Sequence, residues 1–322
     1  MKQVRIVILD GYPANPGDLS WAPIAALGDL TVYEHCPHDD RAEILRRCAG
    51  AEIVLNNKVP FDRELMAALP DLRFVALQST GFNIIDLDAA REFGIVVSNV
   101  PGYSSAAVAQ LVFSLVLELA DGVAEQAAAV AAGRWCEAPD FTFYARRMLE
   151  LDHRTLGIFG FGAIGQRVAR IGTAFGMEVI YHSRTPKESS FARFVTLEEL
   201  FRESDVLTLH APQTPATAKV VNREHLALMK PTALLVNTAR GGLVDSAALA
   251  DALNAGKIAG AGIDTLEAEP PPPEHPLLHA RNCLLTPHVG WATLEARGRL
   301  IDILAANIRG YLAGKPVNVV NP

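Results

Sequence analysis

The chain has 322 residues, half of them hydrophobic and a fifth charged, with a formal net charge of -7. That length accommodates two domains with cores of their own, and the composition is globular, not disordered. The acidic balance gives no general footprint for nucleic acid, and no apolar run reaches the ~20 residues that a membrane-spanning helix needs.

In chain order, short β-rich runs alternate with helical patterns. The opening, MKQVRIVILDGY, meets an acid at Asp10 and reads as a first strand, not a secretory signal. Strands are expected at 4–9, 30–33, 52–55, 73–77 and 96–98, with helices such as 41–48 and 62–69 between them. Repeated βα units imply a parallel sheet with helices on both faces. After NVPGYSS comes a long apolar helix over 106–120, expected to continue toward Gly133. Its apolar residues are too many for one stripe, so it packs on two sides, within the fold or at a subunit interface. A second βα series begins at Thr155: strand TLGIFG, a helix over 163–175, then strands at 178–182, 206–209, 233–237, 258–263 and 283–285. The stretch EPPPPEHP must be a stiff loop, and a last helix covers 295–312. Cys36, Cys48, Cys136 and Cys283 lack CxxC spacing, so no metal site or disulfide framework is expected, and a reducing cytoplasm is the expected location.

LGIFGFGAIGQ places Gly160, Gly162 and Gly165 in G-x-G-x-x-G spacing between an apolar strand and an amphipathic helix. One glycine serves the tight turn, one the close approach of a pyrophosphate, and one the packing of helix on strand. Gly260-Ala261-Gly262 lies inside a strand-like run and opens no helix. An NAD site usually places an acid about 20 residues beyond the first glycine, to hold the ribose hydroxyls. That region here reads Ser183-Arg184-Thr185, and the nearest upstream acid, Glu178, would sit ~17 Å back along the strand. Hydroxyls and a guanidinium suit a 2′-phosphate, which an acid would repel. The stretch is therefore either a selector for NADP(H) or a solvated turn.

Three ionisable residues come after strands of the second series: Arg240 in NTARGGLVD, Glu269 in GIDTLEAEP and His288 in LLTPHVGWAT. Read singly, each could be a surface or structural residue. Parallel strands, however, gather their C-terminal ends at one edge, where ligands bind. With LDGYPANPGDLSW, NNKVPFD, LQSTGFNIIDLDAA and SNVPGYSSAAVAQ added, the ordered motifs span nearly the whole chain. In them the chain closely resembles the D-isomer-specific 2-hydroxyacid dehydrogenases, particularly the glycerate dehydrogenase/hydroxypyruvate reductase (glyoxylate reductase) branch.

That resemblance implies an α/β fold of two doubly wound parallel-sheet domains, a Rossmann cofactor domain (100–292) inserted into a flavodoxin-like substrate domain (1–99 and 293–322). It also implies a homodimer joined through the cofactor domains, with the long helix contributing. Arg240, Glu269 and His288 map onto the family's catalytic trio. His288 would donate a proton to the oxygen of a 2-oxo acid as hydride reaches C2, since imidazole titrates nearest neutrality. Glu269 would orient the ring, and Arg240 would hold the substrate. Lys58 and the Ser79-Thr80-Gly81 loop are candidate substrate contacts. Ala163 and Ile164 would lie beneath the pyrophosphate, Ala211, Pro212 and Thr217 beside the adenosine, and Thr238, Ala239 and Asp264 at the nicotinamide. The expected cofactor is NADP(H), with NAD(H) the alternative, and the expected partner is a small 2-oxo or 2-hydroxy acid, with no nucleic acid and no membrane. Formate dehydrogenases pair their histidine with glutamine, so Glu269 argues against that reaction. The remaining alternatives are an NAD-preferring dehydrogenase of another 2-hydroxy acid, or a corepressor-like sensor of dinucleotides.

Overall fold

The computed structural model describes residues 3–322. The chain divides into two compact units, one running up to Ser104 and resuming over Ala292–Pro322, the other Ser105–Trp291. Each is built on its own sheet, and all ladders between named strands are parallel.

The first unit holds β1 (Arg5–Ile8), β2 (Asp29–Val32), β3 (Ile53–Asn56), β4 (Phe74–Leu77) and β5 (Val96–Ser98), in the order β2-β1-β3-β4-β5. This is the flavodoxin-like arrangement that the sequence leads one to expect. The central strands are buried on both faces, which explains why they read as unbroken apolar runs (Ile6-Val7-Ile8, Ile53-Val54-Leu55) and not as alternating patterns. Helices α1 (Ala22–Ala25), α2 (Arg41–Cys48), α3 (Arg63–Ala67), α4 (Leu87–Glu92) and α11 (Leu294–Leu312) surround this sheet. Asp40, Asp62 and Asp86 each cap a helix by accepting the N–H of the residue three positions on. The chain's last segment is sewn to β5. Val320 N–H donates to Val97, and Asn321 accepts from Val97 N–H while donating to Ile95. That cover blunts an open sheet edge.

The second unit holds α5 (Ser105–Asp121), α6 (Val123–Ala131), β6 (Thr155–Phe159), α7 (Ala163–Ala174), β7 (Glu178–His182), β8 (Arg193–Phe194), α8 (Leu197–Glu203), β9 (Val206–Leu209), α9 (Arg223–Leu228), β10 (Leu234–Asn237), α10 (Ser246–Asn254), β11 (Gly260–Ile263) and β12 (Cys283–Leu285). Its strand order, β12-β11-β10-β9-β6-β7-β8, reverses direction between β6 and β9. That reversal is the topological switch point at which open α/β sheets bind ligands.

The long helix does not run on to Gly133. It stops at Gly122, which has φ +62, and α6 leaves at a bend of 54°. A Cβ on Gly122 would sit 2.2 Å from Cδ of Arg146, whose Nη2 donates to the carbonyl of Leu119 at 3.0 Å. The break thus makes room for an arginine that satisfies a carbonyl of the helix end. Most of α5 is buried within this unit, and Gly260 and Gly262 on β11 let it approach the sheet: their Cβ atoms would meet Leu119 and Leu115 at 3.0 and 2.9 Å. Among the described residues no single helix is long and apolar enough to cross a membrane.

Where β1 ends, Asp10 is 3% exposed. Its carboxylate accepts from Asn57 N–H (3.0 Å), Lys58 N–H (2.9 Å) and Gln78 Nε2 (3.0 Å), which fixes the turns leaving β3 and β4. Burial pushes its pKa up to about 7, against the pull of the Lys58 and Asn57 N–H groups. A carboxyl raised in the folded state binds its proton more tightly there than in the unfolded chain. Its contribution is therefore fully present below about pH 4 and is lost as pH rises through about 7. In urea unfolding, the stability of wild type relative to Asp10→Asn should fall by about 2–3 kcal/mol between pH 5 and pH 8. A difference independent of pH would show that the carboxyl stays ionised throughout.

Candidate active site

The turn from β6 into α7 uses three glycines for three purposes. Gly160 has φ +97, and a Cβ there would sit 2.5 Å from the backbone nitrogen of Ala211, at the exit of β9. A Cβ on Gly165 would lie 2.3 Å from the carbonyl oxygen of Gly160. Gly162 differs, because nothing stands within 4 Å of where its Cβ would be. It is the N-cap of α7, with no side-chain cap and no acid in the first turn. The first N–H groups of α7, on Ala163, Ile164 and Gly165, therefore stay available at the positive end of the helix. Two glycines answer to the protein's own packing, and the third keeps space clear over an anion site. The cradle fits a dinucleotide pyrophosphate.

At the exit of β7, Ser183 is half-buried and its hydroxyl donates to the carbonyl of Thr185 at 2.8 Å. Arg184 and Thr185 are exposed, and no acid occupies the three positions. Beyond β9, Ala211 is buried, and Thr217 folds back on its own turn. Its hydroxyl accepts from Thr214 N–H and donates to Pro212, at 2.8 and 2.7 Å. That side chain shapes the turn, leaving the backbone around Pro212 as the surface it presents.

At the exit of β10, Asn237 is fully buried and moulds the turn that carries Arg240. Its side chain accepts from Ala239 N–H at 3.0 Å and donates to the carbonyl of Arg240 at 2.9 Å. The next residue, Gly241, touches the turn after β11, since its Cβ would fall 2.0 Å from the carbonyl carbon of Leu266. That turn carries Glu269, whose Oε1 accepts from Leu266 N–H at 3.0 Å and whose Oε2 lies 2.7 Å from Nδ1 of His288. Both side chains of this pair are about one-third exposed or less. The exits of β10, β11 and β12 thus bring together the arginine turn and the glutamate–histidine pair.

Asp264, expected at the nicotinamide, is 2% exposed. It accepts from the Thr286 hydroxyl (2.6 Å) and the N–H groups of Val289 and Gly290 (2.9 Å each), all from the loop that presents His288. The hydroxyls of Thr238 and Thr265 and both ring nitrogens of His210 are buried there without a partner among the described residues. Burial drives the His210 pKa down to about 3, which keeps the ring neutral. Neither Asn237 nor His210 is among the candidates read from the sequence, although an amide or imidazole at a strand exit is a signal for such a residue.

In the first unit, Ser79 and Thr80 also spend their hydroxyls on the backbone, at Gly81 and Val100, at 2.7 and 2.8 Å. Among the described residues, the N–H groups of Ser79, Thr80 and Gly81 donate to no acceptor. Lys58 lies in the turn held by Asp10, to which its own N–H donates.

Residues 113–290 match the family model described as D-isomer specific 2-hydroxyacid dehydrogenase, NAD binding domain. The chain is 42% identical to the hydroxypyruvate reductase of Blautia hydrogenotrophica, over 99% of this chain and 100% of that one. It is 40% identical to the glycerate dehydrogenase of Methylorubrum extorquens, over 91% and 95%. Among solved structures it is similar to an NADPH-dependent glyoxylate/hydroxypyruvate reductase from Sinorhizobium meliloti in complex with NADP and malonate, with TM-score 0.83 and 30% identity over 99% and 97%. Likeness of this extent, over a sheet edge built for a dinucleotide, places the chain in the D-isomer specific 2-hydroxyacid dehydrogenase family of nicotinamide-dependent oxidoreductases.

Proposed function

We propose that the chain is an NADPH-preferring reductase of small 2-oxo acids, with hydroxypyruvate and glyoxylate the leading substrates. The observation that carries this reading is the 2.7 Å pairing of His288 with Glu269 on the same sheet edge as the open glycine cradle. When bound, the nicotinamide supplies a hydride to C2 of the substrate. His288 gives a proton from Nε2 to the carbonyl oxygen, on which charge grows. Glu269, 2.7 Å from Nδ1, fixes the orientation of the ring. Arg240 supplies a fixed positive charge to the substrate's carboxylate and carbonyl.

The second unit is read as the cofactor domain. The first is read as the substrate domain, with the N–H groups of Ser79, Thr80 and Gly81 and the ammonium of Lys58 meeting the carboxylate. Ser183-Arg184-Thr185 supports the NADPH preference, because it offers hydroxyls and a guanidinium where an NAD enzyme carries an acid. A homodimer through the cofactor domain is favoured by apolar side chains exposed in and beyond α6, among them Val130, Trp135, Phe141 and Tyr144.

Steady-state kinetics on a 2-oxo acid panel should give a higher kcat/KM with NADPH than with NADH. Ser183→Asp should move that preference toward NADH, and a wild type that already prefers NADH would refute the selector. His288→Ala should lower kcat by about 10²–10⁴-fold while cofactor binding persists; undiminished turnover would remove the role given to that ring. Gly162→Val should leave thermal unfolding near wild type, because its side chain meets open space, yet abolish the rise in nicotinamide fluorescence on NADPH binding. Full binding by that variant would show that the pyrophosphate lies elsewhere.

A further inference from the structure

Two residues before Glu269, the side chain of Glu267 takes partners of its own. Ser246 Oγ lies 2.7 and 2.8 Å from its two carboxylate oxygens, and His275 Nε2 lies 3.3 Å from Oε2. His275 is 8% exposed, and its Nδ1 accepts from Leu277 N–H, so the ring proton sits on Nε2 and points to Glu267.

We propose that Ser246, Glu267 and His275 form a clamp that positions Glu269 against His288, an inference resting on the reaction proposed above. The three residues join the segments that carry the trio. Ser246 opens α10, directly after the turn that leads away from Arg240. Glu267 lies between Leu266, whose N–H holds Glu269, and Glu269 itself. His275 stands one residue, Glu274, beyond the four-proline run and caps the 3₁₀ turn (Pro276–Leu278) that precedes β12 and His288. Prolines stiffen the loop, and the Glu267–His275 bond closes it at both ends. With Glu267 anchored, the Leu266 N–H has a fixed direction, and so does the carboxylate it holds. Misplacing a reacting group by about 1 Å can cost about 10²-fold in rate. These are positioning residues, because none of them touches the reacting atoms.

Ser246→Ala tests the clamp with every charge left in place. Its kcat for hydroxypyruvate should fall about 10–100-fold, with KM for NADPH within about twofold of wild type. In ¹⁵N-histidine-labelled protein without cofactor, the His288 Nδ1 proton should move upfield and broaden relative to wild type, since the carboxylate it pairs with is less firmly held. Glu267→Gln should act in the same direction. His275→Gln, which keeps an N–H of similar reach, should retain most of the turnover. In a Glu269→Gln background, Ser246→Ala should add nothing to either readout. A wild-type His288 Nδ1 proton signal in both Ser246→Ala and Glu267→Gln, or full additivity with Glu269→Gln, would overturn the clamp. Failure of the proposed reaction would show differently, as a wild type that reduces no 2-oxo acid, and the His288 Nδ1 proton signal would still judge the clamp.

Discussion

Three donors from one short loop converge on the carboxylate of Asp264, and the placement of the His288–Glu269 pair depends on that convergence. A carboxylate 2% exposed is costly unless its oxygens are met by donors. The Thr286 hydroxyl and the N–H groups of Val289 and Gly290 meet them, tying the exit of β12 to the exit of its neighbour β11. Between those anchors the backbone of His288 turns through φ +53, a left-handed conformation that costs a bulky residue about 1–3 kcal/mol. The flanking bonds hold that conformation, and the imidazole then reaches Glu269. Gly290 is needed for the same reason, since a Cβ there would crowd Oδ2 of Asp264 at 3.0 Å.

Sequence carried the architecture because both sheets are parallel and buried, so their strands appear as short β-branched runs separated by helical patterns. It pointed to Arg240, Glu269 and His288 because strand exits are where such a fold concentrates chemistry, and the structure sets the glutamate and the histidine 2.7 Å apart. It failed where the deciding partner is distant. The alanine-rich pattern around Gly122 reads as one helix, because a lone glycine costs a helix only about 1 kcal/mol. What ends that helix is Arg146, in a segment with no regular pattern of its own. Asp264 likewise takes structural partners 22–26 residues further on, in the loop of His288, which its own neighbourhood in the sequence does not reveal. The two-residue strand β8 is exposed and too short to leave a periodicity.

Glycine carries two opposite meanings within this sheet. In G-x-G-x-x-G, Gly162 keeps space open. In Gly260-Ala261-Gly262 the space is already taken, because α5 lies against the bare backbone of β11. Spacing alone separates these poorly. The downstream element separates them well, since the first pattern opens a helix and the second continues a strand.

The sewing of the last residues onto β5 has a consequence for how the chain is made. The second unit is one continuous stretch, Ser105–Trp291, and can complete its sheet as soon as that stretch leaves the ribosome. The first unit begins earlier in synthesis but lacks α11 and the cover over β5 until residues 292–322 appear. Order of synthesis and order of completion are therefore inverted: the unit translated first is finished last. Until then its β5 edge stays bare, and a bare strand edge is a template for pairing with another chain.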